Sequence, residues 1–456
     1  MTIDQLFELD RKTQVVVFIC MFLSAFTLLI GGILLTLKPP KEFEAPSIGN
    51  LSCPGCSVVL LNVELLRADY VGLTSDSGAT PNIDAFFRNS IIFSNVTAPA
   101  GETFVSNTSV LTMTDPFLNG IKPAWIDRYK RLEQDEKKEI LQKVIKERSI
   151  AEILSENGYQ TININQGGRA GAEAFLERGF AIHEQYSSNV LFEDLVDISI
   201  QKLEEMDNPG FFLFRPTFLH NHQYRHPISD TFDEIEGIRI RNYKYDSPAG
   251  EEKKGLHLKR NRKVEPSIGR QQEHKIYRNQ VAYGDKQLQR IFRFLINRGL
   301  ENTIVVLYSN HGTGLGDNEK FEHGTSYQSN VHVPVLIRHP YMSESIVVDK
   351  LVSLMDLMPT IYGMLKFKMP FLLDKQDLFS EILENKFDRE VFFGKNNWDE
   401  YVRRDNWKLI IRNGRFRSLF NLEKDPGEEN NLFEENRDIA ERLEAELLNH
   451  KLQLKN

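Results

Sequence analysis

Cysteine is scarce in this chain, with three residues in 456. Cys20 stands alone inside an apolar stretch, while Cys53 and Cys56 form a single C-P-G-C pair. With no second pair, a four-cysteine zinc knuckle is excluded; a local disulfide and a reduced structural pair both remain open for the two. An excess of positive charge is also missing. The formal net charge is −8, so there is no global basic field to attract nucleic acid, and the basic stretch 253–263 reads as a solvated loop. Internal repeats and low-complexity tracts are absent too, which excludes a solenoid or a compositionally disordered chain. What is present is 41% hydrophobic content over 456 residues. That suffices for one large core, or for a main domain with a smaller companion.

Residues 15–37 form a 23-residue run without a charge, long enough to cross the hydrocarbon layer of a membrane as one helix. A cleaved signal peptide usually has a shorter apolar core and a small-x-small exit, and neither is found here. The run therefore reads as an uncleaved anchor, preceded by a short tail (1–14) and followed by a polar tether (38–56). Arg11 and Lys12 on one side balance Lys38 and Lys41 on the other, so flanking charge does not fix the orientation.

From residue 57 onward, apolar runs alternate with helical periodicity. Residues 57–63 (SVVLLNV) close on Glu64, and residues 303–309 (TIVVLYS) close on Asn310, His311 and Gly312. Continuous β-branched and leucine-rich runs of this kind read as strands buried on both faces of a parallel sheet, whose ligands gather at the carboxyl ends. Residues 81–89 open with a proline and read as a helix, 90–96 as a strand, and 127–157 as helical up to Gly158. Strands follow at 160–165 and 210–218, and a long amphipathic helix at 271–299 leads into the 303–309 run. The expected fold is α/β, a large mostly parallel central sheet with helices on both faces, spanning residues 57–365. The charged stretch 230–273 breaks the rhythm and reads as a surface insertion, a candidate lid. Residues 366–456, with short strands at 408–412 and 418–422 and a final helix at 436–452, form a smaller α+β subdomain.

Between the two long runs lies PAGETFVSNTSVLTM, residues 99–113. Gly101 suits a tight turn, and the helical spacing after it puts Thr103 at a helix N-terminus, where the backbone favours an anion. A neutral threonine is a poor nucleophile; a divalent cation on its Oγ lowers the hydroxyl pKa and supplies an attacking alkoxide. Glu64 and His311, each closing a buried run, are the residues able to hold such a cation, since a charge at that place seldom stays buried and unpaired. Ser106 and Ser109 are rival hydroxyls, but they fall inside the helix and read as structural. Arg67 and Asp69 read as an ion pair near the first strand end. Lys320 is a candidate oxyanion partner on a loop.

Several further stretches carry a resemblance. VVLLNVELLRADYVGL, TPNIDAFFRNSIIFSNVTAP, SVLTM, IAEILSENGYQT, YRNQVAYGDKQL, TIVVLYSNHGTGLGD, HVPVLIRHP, VSLMDLMPTIYGML and LFNLEKDPGEENNL follow one another in an order similar to the sulfatase and alkaline phosphatase superfamily. One departure stands out. Common sulfatases carry C-x-P-x-R at the nucleophile, with a Cys or Ser converted to formylglycine, whereas residues 103–107 read TFVSN. An unmodified threonine with a glutamate at the first metal position resembles instead the lipoteichoic acid synthase and phosphoethanolamine transferase branches. That resemblance implies a membrane-anchored, metal-dependent enzyme with its catalytic domain outside the cytoplasm, held in the cell membrane by a single span. It implies a metal shell of Glu64, Thr103, Asn310 and His311, with Asn310 standing where the family usually has Asp. One histidine among oxygen donors favours Zn²⁺ or Mn²⁺, with Ca²⁺ and Mg²⁺ as second choices. His323 matches a histidine on the phosphoryl group or metal, and His220 or His222 matches a substrate-contacting histidine. The implied activity is hydrolysis or transfer of a phosphoryl-type group from a phosphorylated or sulfated lipid or glycan. The alternatives are a sulfate-ester hydrolase without formylglycine and a catalytically degenerate binding or scaffold protein.

Overall fold

The computed structural model describes residues 51–118, 147–167, 177–220, 224–227, 238–246, 252–260, 266–367 and 390–454. The expected anchor at 15–37, its tether up to residue 50 and His222 lie outside the described residues. Among the described residues no helix is long and apolar enough to cross a membrane.

The strands, in chain order, are β1 (Ser57–Asn62), β2 (Ile91–Thr97), β3 (Gln160–Gly167), β4 (Ile182–Ser187), β5 (Gly210–Arg215), β6 (Tyr224–Pro227), β7 (Ile238–Asp246), β8 (Glu252–Arg260), β9 (Thr303–Tyr308), β10 (Gly314–Asp317), β11 (Lys320–Glu322), β12 (His332–Arg338), β13 (Ile346–Val348), β14 (Val352–Ser353), β15 (Val391–Lys395), β16 (Asp399–Arg404), β17 (Trp407–Arg412) and β18 (Phe416–Asn421). The helices are α1 (Pro81–Phe86), α2 (Thr103–Thr112), α3 (Ile150–Glu156), α4 (Phe192–Glu205), α5 (Pro266–Arg298), α6 (Gln328–Val331), α7 (Leu357–Leu365) and α8 (Arg437–Gln453).

The central sheet runs β13-β2-β12-β9-β1-β5-β3-β4, with β14 also on β2. All its pairings are parallel except those of β12, which lies antiparallel between β2 and β9. The mostly parallel sheet expected from sequence is therefore present. β1 sits at its centre, in register with β5 on one side and β9 on the other. Alternate side chains of these strands enter two cores. Val58, Leu60, Phe211, Leu213, Ile304 and Val306 pack with α2, α3 and α7, while Val59, Leu61, Phe212, Phe214, Val305 and Leu307 pack with α1, α4 and α5. Burial on both faces explains why these segments read as unbroken apolar runs, each fully buried aliphatic side chain contributing about 1.5–3 kcal/mol.

Within the stretch expected to be a surface insertion, residues 238–246 and 252–260 form strands. β6, β8 and β7 form a separate three-stranded antiparallel sheet, and α5 already begins at Pro266. Its alternation (IRIRNYKYD in β7) is a period-2 pattern written largely in charged and aromatic residues, which masks it as a strand signal. The C-terminal subdomain is a four-stranded antiparallel meander, β15-β16-β17-β18. One face, with Tyr401, Ile410 and Phe420, closes onto the main core; the other, with Val402, Leu409 and Leu419, is covered by Ala440, Leu443 and Leu447 of α8. Cys53 and Cys56, left open between two states by the sequence, form a disulfide.

Candidate active site

Thr103 is the first residue of α2, as the spacing predicts. The glycine before it serves a purpose other than a left-handed turn: a Cβ on Gly101 would lie 2.1 Å from the Thr325 carbonyl oxygen, so only glycine lets the two loops approach. Gly312 does the same against Ser329, where a Cβ would meet the carbonyl oxygen at 2.3 Å. At the carboxyl end of β1 the chain turns sharply through Leu65, which holds a φ of 70° and is buried. This left-handed conformation is unusual for leucine and is the kind of local strain found where a side chain must be aimed.

Two groups from distant segments meet at the threonine hydroxyl. Thr103 Oγ1 donates to Glu64 Oε1 at 2.8 Å and lies 3.0 Å from His311 Nε2. His311 Nδ1 faces the Gly312 carbonyl oxygen at 2.8 Å, and since a carbonyl can only accept, Nδ1 carries the proton and Nε2 presents a lone pair. Burial pushes the His311 imidazole down to about 4, keeping it neutral near pH 7. Burial alone would raise the Glu64 carboxyl, but the Arg215 guanidinium and the His220 hydrogen bond outweigh it and hold the group far below the usual carboxylate range.

Arg215, the last residue of β5, pairs with Glu64 Oε2, and both side chains are almost fully buried. Its other amino group donates to the Gln166 carbonyl at 3.2 Å. Sequence reasoning passed over this residue, although the signal was that used for Glu64, a charge closing the apolar run GFFLFR. His220 Nε2 lies 3.3 Å from Glu64 Oε1, and the His323 ring stands 5.1 Å from that of His220 and 4.9 Å from that of His311. The three imidazoles therefore form one cluster, in which His311 contacts the hydroxyl.

Asn310 is placed from two directions. Its N–H donates to Asn62 Oδ1 at 3.2 Å and its C=O accepts from Ser106 Oγ at 2.6 Å, while Asn62 Nδ2 donates to Asn107 Oδ1 at 3.0 Å. Its own side-chain amide is fully buried, and neither Oδ1 nor Nδ2 has a hydrogen-bond partner among the described residues. Ser106 is thus structural, as read from its place inside the helix. Arg67 forms the expected ion pair with Asp69 at 2.7 Å and is further bound by Asp317 at 2.5 Å, which commits it to the scaffold. Lys320 lies half-buried on the β10–β11 hairpin and takes part in none of the contacts around Thr103.

Glu102, next to Thr103, was also missed. Its carboxyl is buried, Oε2 accepts from Asn397 Nδ2 at 2.6 Å, and Oε1 has no hydrogen-bond partner among the described residues. Burial pushes this group up to about 7. A folded-state pKa raised above the unfolded 4.5 means that stability falls as pH rises from about 4.5 to about 7. Glu102→Gln is expected to be more stable than wild type at pH 8, by an amount on the order of 2 kcal/mol that vanishes near pH 4. Denaturant titrations at the two pH values check this; an equal difference at both would contradict it.

Comparison with known proteins places this arrangement. The Sulfatase family model matches residues 57–367, more than half of the chain. An arylsulfatase of Clostridium perfringens is 29% identical over 168 residues, 34% of this chain and 35% of that protein. The matched stretch thus spans about a third of that relative's length. Among solved structures, a 2-O GAG sulfatase superposes with a TM-score of 0.65 at 16% identity, covering 88% of this chain and 93% of that one. The phosphonate monoester hydrolase of Agrobacterium radiobacter superposes with a TM-score of 0.61 at 16% identity, covering 87% and 96%.

Proposed function

The chain belongs to the sulfatase family, and from that premise we propose an ester-cleaving enzyme in which the unmodified hydroxyl of Thr103 attacks a phosphoryl-type group. The observation that carries this reading is the convergence of Glu64 Oε1 and His311 Nε2 on Thr103 Oγ1 at the first residue of a helix. As Oγ attacks in line, an Oγ–P bond forms and the bond to the leaving oxygen breaks on the opposite side, that oxygen taking up a proton. With no ion bound, the hydroxyl proton passes to His311 Nε2, the stronger base of the two acceptors because Glu64 is held far lower; an ion held by His311 would occupy that lone pair, and the proton would then leave to water. The helix dipole at the start of α2 favours the charge that develops there. His220 and His323, clustered with His311, would orient the non-bridging oxygens. Water then resolves the phosphothreonine in a hydrolase, and an alcohol resolves it in a transferase.

Sulfatases generally hold a divalent cation at their centre, and the donor set here fits one. Two lone-pair donors, Glu64 Oε1 and His311 Nε2, meet at a single hydroxyl proton, and the buried Asn310 Oδ1 has no hydrogen-bond partner among the described residues. Glu64, Thr103, Asn310 and His311 would hold the ion, a mixed nitrogen and oxygen set suited to Zn²⁺ or Mn²⁺. Among the described residues no group of three or more His, Cys, Asp or Glu is arranged to bind a metal, so a hydroxyl and an amide would have to complete the shell and an ion would be held weakly. When bound, it lowers the Thr103 pKa and draws charge off the ester.

Sulfate-ester hydrolysis is the second reading, favoured by relatives named as arylsulfatases. Against it, the threonine lacks the aldehyde hydrate through which formylglycine enzymes release sulfate. Purified protein given the phosphate and the sulfate of one alcohol separates the two: turnover of the phosphate supports the first reading, and turnover of the sulfate alone replaces it with the second. The 15–37 run would tether the catalytic domain outside the cytoplasm. Protease added to intact cells is then expected to cleave the soluble part, and full protection would contradict that placement.

A further inference from the structure

We propose that Asn396, on the turn joining β15 and β16 of the C-terminal subdomain, is a positioning residue that sets the Thr103 turn against the His323 loop. The turn that delivers Thr103 is held by partners remote in sequence. The Pro99 carbonyl accepts from the Lys395 N–H at 2.9 Å, and the Gly101 carbonyl accepts from the Gly324 N–H at 2.6 Å. The Gly101 N–H donates to Asn396 Oδ1 at 2.5 Å, and Glu102 Oε2 takes its hydrogen bond from Asn397. The other arm of the same amide, Asn396 Nδ2, donates to Ser326 Oγ at 2.7 Å, three residues beyond His323. One planar side chain thus grips the residue two before the nucleophile and the loop that carries a substrate-contacting histidine.

The clamp is built rigidly. Asn396 is 3% exposed and Ser326 fully buried. The turn is closed by the Asn396 N–H on the Asp399 carbonyl at 2.7 Å. Asp399 in turn is held by Arg412 at 2.8 and 3.1 Å and accepts from the Ser326 N–H at 3.3 Å. Nothing in this arrangement touches the hydroxyl of Thr103. Its effect is to fix where that hydroxyl and His323 lie relative to one another, and a displacement of about 1 Å at a reacting group costs roughly 100-fold in rate.

The test uses the full chain, with Asn396→Ala, Asn396→Asp (which keeps the acceptor for Gly101 and loses the donor to Ser326), Ser326→Ala and the Asn396→Ala/Ser326→Ala double variant. Its activity arm rests on the proposed function; its second arm, amide hydrogen exchange, does not. Asn396→Ala is expected to lower kcat about 100-fold with KM within about threefold, because binding groups stay in place while alignment is lost. Asn396→Asp should fall in between, and the double variant should be no worse than Asn396→Ala, since both changes cut one connection. Exchange at the Gly101 and Gly324 amides should rise while that of β17 stays unchanged. A kcat within about threefold of wild type, unchanged exchange at Gly101, or exchange rising across the whole C-terminal sheet would each overturn the assignment. If wild type turns over no ester, the proposed activity falls, and the exchange contrast still decides the clamp.

Discussion

Thr103→Ala is expected to lower kcat/KM by at least about 10⁴-fold, because the change removes the atom that forms the covalent bond and leaves only binding and electrostatics. The fold should survive: Thr103 is half-buried at the first residue of α2, its hydroxyl is bonded only within the site, and circular dichroism should be unchanged. Thr103→Ser keeps the nucleophilic oxygen and should recover most of the activity, the methyl group having served to restrict the rotamer. Steady-state kinetics on a phosphate monoester give both numbers. A residual rate within tenfold of wild type for the alanine variant would move the nucleophile to another residue.

The second large effect is on stability. Glu64→Ala removes the carboxylate paired with Arg215, a guanidinium almost completely shielded from water. Breaking a buried pair from one side costs about 3–5 kcal/mol because the remaining charge is stranded. Removing both charges, as in Glu64→Ala/Arg215→Met, should return most of that loss, since a buried pair contributes little beyond its own desolvation. Urea unfolding of the two variants checks the contrast. A single variant that loses less than about 1 kcal/mol would mean that the guanidinium finds water or another partner.

The legible part of the molecule was whatever the chain writes locally. The runs closing on Glu64 and on His311 are buried on both faces, so their unbroken hydrophobicity gave them away as central strands. Thr103 was placed at a helix start by the spacing after Gly101, and the structure brings these three residues together. The direction of β12 was not legible: a short apolar strand such as HVPVLIR reads alike in either orientation, and only its neighbours β2 and β9 decide it. Nor was the pairing of β6, β7 and β8, where charged alternation resembles a solvated loop. Arg215 could have been found by applying the charge-ending rule to every buried run. Asn396 could not, because an asparagine on a turn carries no local mark of the Gly101 N–H and the Ser326 hydroxyl it joins, and the link exists only through tertiary packing of the C-terminal sheet.

The most direct measurement is acid quenching of the protein during reaction with a phosphate ester, followed by peptide mapping by mass spectrometry. A phosphoryl increment confined to the peptide containing Thr103, and absent from the Thr103→Ala variant, is the predicted result. Steady turnover with an increment on a different residue, or with no adduct under conditions that trap a phosphothreonine, would contradict the account.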